Sequence, residues 1–312
     1  MITHALLYQG QRAAQQVFEI DGWGSSHRRH ALDLRLLDAV YWVAGLCSAA
    51  VEAIPLLATI RDVVFPLNPI NAKRHFIFLP RRVEKFLGDH IFFPLHTARF
   101  MPTKAVLQST SIPVAQLVNN VVKRLCQHNQ DLLNPYPKEA RFNYRVTTVS
   151  SPAIKAFALP GGSMVVGSQL VKQLHTCILS REIRESSIPL ASGSVVKVDL
   201  SRVTLEDALA SLVGHEMTHI ASRHWIQGCA SRQQEEYEAD VTGAYLAHRA
   251  GYRSVGALYM QEFLCRFSRD FGYTHPCVEN RKRALFAAIA AFDPQSLLFI
   301  PKQPAELRAL LS

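Results

Sequence analysis

This sequence predicts an α+β fold in which helix predominates and a small β-sheet lies in the middle of the chain. Three observations carry that expectation. From Ser111 onward, Val114, Leu117, Val118, Val121, Val122 and Leu125 recur at helical spacing. Between Phe142 and Val166 the pattern changes to short extended runs, Phe142 to Val146 and Ala156 to Val166, with a turn at Ser150 to Pro152 and Pro160-Gly161-Gly162 inside the second run. Beyond Thr204 the chain reads almost entirely as helix.

The 312 residues are 48% hydrophobic and 19% charged, which permits a sizeable core and excludes a disordered or collagen-like chain. Thirty-four Lys and Arg against 25 Asp and Glu leave a formal charge of +9. The excess is spread in short clusters (Arg28-Arg29, Lys73-Arg74, Arg81-Arg82, Arg281-Lys282-Arg283) that read as solvated surface. No C-x-x-C finger, RNP-type aromatic pattern or dense basic helix accompanies it, so no nucleic-acid partner is expected. Six cysteines without a C-x-x-C pair favour a reducing compartment. The start Met1-Ile2-Thr3-His4 lacks the basic and apolar run of a secretory signal, so a cytoplasmic or membrane-associated protein is expected.

Two regions are expected. Residues 1–104 read as an N-terminal extension and residues 105–312 as the main domain. Within the extension, 39–60 is apolar except for Glu52, and its 22 residues are long enough to span a bilayer. A glutamate near the middle costs on the order of 2.5–3.5 kcal/mol there, so a buried or interfacial helix is the favoured reading and membrane association stays open. Lys73 to Gly88 reads as a strand, His75 to Leu79, running into a helix. Glu185 to Asp199, with Ser, Gly, Pro and alternating Val, reads as a loop or hairpin insertion.

The chemistry concentrates after Thr204. Thr204 and Asp207 have the spacing of a capping box, and Leu205, Leu209, Leu212 and Val213 supply an apolar stripe, so His215-Glu216-Met217-Thr218-His219 falls on a helix. His215 and His219 then lie one turn apart and face the same way, where both imidazoles can reach one metal ion. Glu216, beside them, could take a proton from a water activated by that ion without being a ligand. A chain with 13 histidines shows such a pentapeptide by chance in roughly a few per cent of cases, so the motif needs support.

Support comes from Gln234-Glu235-Glu236-Tyr237-Glu238-Ala239-Asp240. Glu236 and Asp240 are four apart on the next predicted helix. Glu236 can be a third metal ligand while Asp240 accepts the other N–H of a ligand histidine and fixes its tautomer. Glu238 points to another helical face and is expected to meet solvent. A third element, Thr274-His275-Pro276 followed by Arg281, places two polar or cationic groups where they could stabilise an oxyanion.

Together these residues resemble the zinc endopeptidase family that includes HtpX, the CAAX prenyl endopeptidases and the mitochondrial Oma-type quality-control peptidases. The matching features are Ala156 to Gly162, His215 to His219 with Arg223-His224, Glu236-x-x-Ala239-Asp240, and His275-Pro276 with Arg281, over roughly Ser111 to Phe292. Lys73 to Gly88 also looks like the lead-in of the Oma-type branch. Two departures stand out: only 16 residues separate His219 from Glu236, and Lys155 stands where the family often has Asn.

The resemblance implies a zincin-like peptidase domain with its small sheet over the active-site helix. It implies one Zn²⁺ per chain on His215, His219 and Glu236, Glu216 as general base, and a protein or peptide substrate, with protein quality control as the setting. A substrate would add to the strand that follows Pro160-Gly161-Gly162. His275 and Arg281 would polarise the scissile carbonyl, or His275 would plug the open zinc position. The rival reading is a catalytically silent peptidase-like scaffold acting as chaperone or assembly factor, which would have no use for Glu216.

Overall fold

In the computed structural model, which describes Asn68, Ile70 and residues 79–94, 101–107, 111–151, 155–190, 193–226, 232–267 and 277–297, the helix expected after Leu79 is present. Pro80, with its fixed φ, opens α1 (Arg81–Leu87), and a π-helical turn at Gly88–Phe92 continues it. The Arg81 guanidinium stacks over the rings of Tyr136 and Phe142, 4.0 and 3.6 Å from their centroids. Gly88 meets the turn Pro160–Gly162 so closely that a Cβ there would lie 2.3 Å from the Pro160 carbonyl oxygen. Helix α1 comes from the region expected as an N-terminal extension, and it lies against that turn. The apolar segment 39–60 and residues 75–78 of the expected strand lie outside the described residues. Among the described residues, no helix is long and apolar enough to cross a membrane.

The stripe read from Ser111 forms α2 (Val114–His128), whose six stripe residues are all buried, and a short turn of helix, α3 (Gln130–Leu133), follows. The extended runs form β1 (Arg145–Val149), β2 (Ala156–Leu159) and β3 (Ser163–Gly167), in the order β1-β3-β2. β3 runs parallel to β1, with Val146 opposite Met164, and antiparallel to β2, with Ala158 opposite Met164. β1 starts at Arg145 rather than Phe142 because the Asn134 side chain takes both backbone groups of Phe142, at 3.0 Å each. The Gly161 turn between β2 and β3 has φ +81°, a conformation that glycine adopts without steric penalty.

After β3 the chain forms α4 (Ser168–Leu179) and then the expected hairpin, β4 (Glu185–Pro189) and β5 (Val195–Asp199), paired from Glu185–Asp199 to Pro189–Val195. Four α-helices follow: α5 (Leu205–Ser222), α6 (Arg232–Arg249), α7 (Gly256–Phe267) and α8 (Val278–Phe292), with short 3-10 turns at His224–Ile226 and Pro294–Ser296. The hairpin packs through β4 on α7 and α8, where Ser186 donates to Glu262 at 2.7 Å. Helix α5 is the central element. It contacts α2, α4, α6, α7, β2 and β3, and its residues from Ala208 to Val213 are all buried. A sheet of three strands covered by helices is thus an α+β arrangement, as expected.

Candidate metal centre

Helix α5 begins with the capping box read from sequence. The Asp207 backbone N–H donates to Thr204 Oγ1 at 3.2 Å, and the Thr204 N–H donates to the Asp207 carboxylate at 2.9 Å. Asp207 also accepts the Arg253 backbone N–H at 2.9 Å, which ties the helix start to the loop before α7. At the other end Arg223, at φ 57°, closes the helix in the left-handed conformation. Between these fixed ends lie His215, Glu216 and His219.

Helix α6 brings Glu236 to the two histidines. His215 Nε2 and His219 Nε2 are 3.1 Å apart, and each is 3.5 Å from a Glu236 carboxylate oxygen. A tetrahedral set with metal–donor distances of about 2.0–2.1 Å has donor–donor edges of about 3.3–3.4 Å. The three observed separations bracket that value. Two imidazole nitrogens and one carboxylate that converge in this way fit a single metal ion, and they are the kind of donor set used where a fourth position stays open.

Asp240, one helical turn beyond Glu236, braces His215. His215 Nδ1 and Asp240 Oδ1 are 3.0 Å apart, so the imidazole N–H donates to Asp240 and Nε2 is left for the metal. Asp240 also accepts from Gln261 at 3.2 Å and from Arg281 Nε and Nη2 at 2.6 and 2.7 Å. Burial alone would raise the Asp240 pKa, but the charge and hydrogen bonds of Arg281, with those of His215, hold it down at about 2. Arg281 Nη2 also lies 3.6 Å from Glu236 Oε2.

The structure therefore gives Arg281 a different partner from the one expected. Its side chain is 3% exposed and grips Asp240 in a two-pronged ion pair, so it braces the Asp240–His215 pair instead of reaching out to a substrate oxyanion. His275 lies outside the described residues.

Glu216 is buried and takes no part in the three-donor cluster. Burial pushes its carboxyl up to about 7, against the opposing effects of His215, Arg281 and a hydrogen bond from the Ala158 backbone. That last contact joins the carboxylate to β2, which packs on α5.

Two further expectations need correction. The strand after Pro160-Gly161-Gly162 is β3, which is paired on both sides and buried throughout, so no extended peptide can add to it. The strand before that turn, β2, is one of the two outer strands of the sheet, β1 being the other. Glu238, expected in solvent, instead accepts from Ser222 Oγ at 2.6 Å and lies 3.3 Å from His224 Nε2.

Sequence reading also missed Glu84. It is fully buried and bonds the Arg223 guanidinium and, at 2.8 Å, the Trp225 indole N–H. The signal was a lone acid in the α1 pattern, with no way to know its partner 139 residues away.

An α+β domain whose central helix and its neighbour converge two histidines and a glutamate is an arrangement of the kind that metallopeptidases use. Residues 116–231 match the model of peptidase family M48, the zinc metallopeptidase family of HtpX, the CAAX endopeptidases and the Oma-type peptidases. The match spans His215, Glu216 and His219 and stops short of Glu236, which the tertiary structure adds. No curated protein matches the chain.

Proposed function

We propose that this chain is a zinc-dependent endopeptidase in which His215, His219 and Glu236 hold one zinc ion and Glu216 moves the proton. The observation that carries the reading is the convergence of those three donors, with Glu216 next to them but outside the cluster. Zinc at such a site polarises a carbonyl and lowers the pKa of water to about 7.

The remaining work falls to side chains and backbone. Glu216, beside the donor cluster but outside it, is placed to accept a proton as water attacks the peptide carbonyl carbon. It then gives that proton to the leaving amine nitrogen as the C–N bond breaks. Asp240 orients His215, and Arg281 holds Asp240 in place and offsets the charge of Glu236. The edge strand β2, beside the active-site helix in the manner of zincins, is suited to align an extended substrate through backbone hydrogen bonds. His275 is proposed to polarise the scissile carbonyl, or to occupy the open zinc position in a resting state. The substrates are proteins or peptides, protein quality control is the proposed setting, and association with a membrane through 39–60 belongs to the same proposal.

The test is metal content followed by proteolysis. Wild type should carry about one zinc per chain, and Glu236→Ala should lose it. Glu216→Gln should keep the zinc and lose cleavage of an unfolded protein such as casein. Cleavage at wild-type rate by Glu216→Gln removes the general-base assignment, and a wild type that takes up no zinc removes the enzyme reading.

A further inference from the structure

We propose that His224 is a positioning residue for the ligand His219, fixing that ligand's tautomer through a chain that ends on Glu238; this rests on the zinc reading above. His219 directs Nε2 toward His215 and Glu236, so its other nitrogen decides how well it can donate to a metal. That nitrogen, Nδ1, is 2.7 Å from Nδ1 of His224. The far nitrogen of His224, Nε2, is 3.3 Å from Glu238 Oε1, and that oxygen also accepts the Ser222 hydroxyl at 2.6 Å.

One proton assignment satisfies every contact. A neutral imidazole that gives Nε2 to a metal carries its proton on Nδ1. His219 Nδ1–H therefore donates, and His224 Nδ1 must accept. His224 then carries its own proton on Nε2 and donates it to the Glu238 carboxylate. The opposite assignment would set two N–H groups against each other across 2.7 Å. His215 leans directly on a carboxylate, whereas His219 leans on a neutral imidazole backed by one.

The rest of the structure holds His224 in that pose. It follows the left-handed Arg223, and its side chain is only 5% exposed. Arg223 is bonded to Glu84 and the Leu79 carbonyl, and Trp225 is bonded to Glu84. The residues on both sides of His224 are thus anchored to α1, and the imidazole is confined between His219 and Glu238.

Two measurements test this. Competition with a chromophoric chelator gives the zinc Kd of wild type, His224→Phe and His224→Asn, and the thermal midpoints of the metal-stripped proteins are taken alongside. His224→Phe should bind zinc about 10–100-fold more weakly. His224→Asn places an amide oxygen where the acceptor nitrogen was and should recover most of that loss. A His224→Phe variant that binds zinc within twofold of wild type overturns the relay while leaving the zinc site intact. Equal losses in both variants, in step with lowered metal-free midpoints, mean packing alone and also overturn it. If His224→Phe does not fold, histidine ¹⁵N NMR of the zinc-loaded wild type decides: the proton of His224 should sit on Nε2, and finding it on Nδ1 ends the proposal. A wild type without zinc affinity overturns the relay and the proposed function together.

Discussion

Gly214 and Gly243 meet where α5 crosses α6, and the absence of side chains at both is what lets the two helices that carry His215, His219 and Glu236 approach. A Cβ on Gly214 would lie 2.7 Å from the Gly243 carbonyl oxygen, and one on Gly243 would lie 2.5 Å from the backbone nitrogen of His215. Contacts that short with backbone atoms must be relieved by moving a helix. The separation of Glu236 from the two histidines is therefore set by this crossing.

Gly243→Ala should push the helices apart. Alanine favours a helix interior by about 1 kcal/mol over glycine, but overpacking typically costs about 1–3 kcal/mol. The expected result is a lower thermal midpoint together with weaker zinc binding in chelator competition. A variant with wild-type stability and wild-type affinity would show that the crossing does not govern the site.

Glu84→Ala should leave Arg223 buried without its carboxylate. Removing one partner of a buried pair costs about 3–5 kcal/mol. Urea unfolding of the variant should show that loss, and hydrogen exchange in 81–92 should rise because Trp225 and Arg223 no longer hold α1. Unchanged exchange there would mean that the packing of Gly88 on Pro160 suffices to seat the helix.

The pH dependence of metal-free stability should report Asp240. Its folded pKa, about 2, lies below the ordinary aspartate value of about 3.9. The group's contribution is therefore fully present above pH 4 and is lost as pH falls from there through about 2. Denaturant midpoints between pH 5 and pH 2 should fall less steeply in Asp240→Asn than in wild type, from a lower starting stability. Parallel slopes would show that Arg281 does not hold this carboxyl in its charged form.

Zinc removal should destabilise the whole domain, since the proposed ligands lie on two of its helices. Free zinc at a thousand times its Kd should add about 4 kcal/mol through mass action on the folded state alone. A chelator should therefore lower the thermal midpoint of wild type by several degrees and leave that of Glu236→Ala almost unmoved. Equal shifts in the two proteins would place the stabilising metal elsewhere.

What the sequence determined by itself was local. The spacing of Val114 to Leu125 specified α2, the Thr204–Asp207 pair specified where α5 starts, and His215 and His219 lay on one face of that helix because four residues make about one turn. The acid that meets both histidines and the acid behind His215 were legible for the same reason, at Glu236 and Asp240. Helical periodicity reports which face a residue occupies but not what meets that face. Only the tertiary structure decided that Arg281 grips Asp240, that Glu238 turns to His224, and that β2 is an outer strand while β3 is the central one. Each of those depends on a pairing between segments distant in the chain, or on the order in which strands join a sheet. Residue identity and spacing carry no record of either until the core has closed.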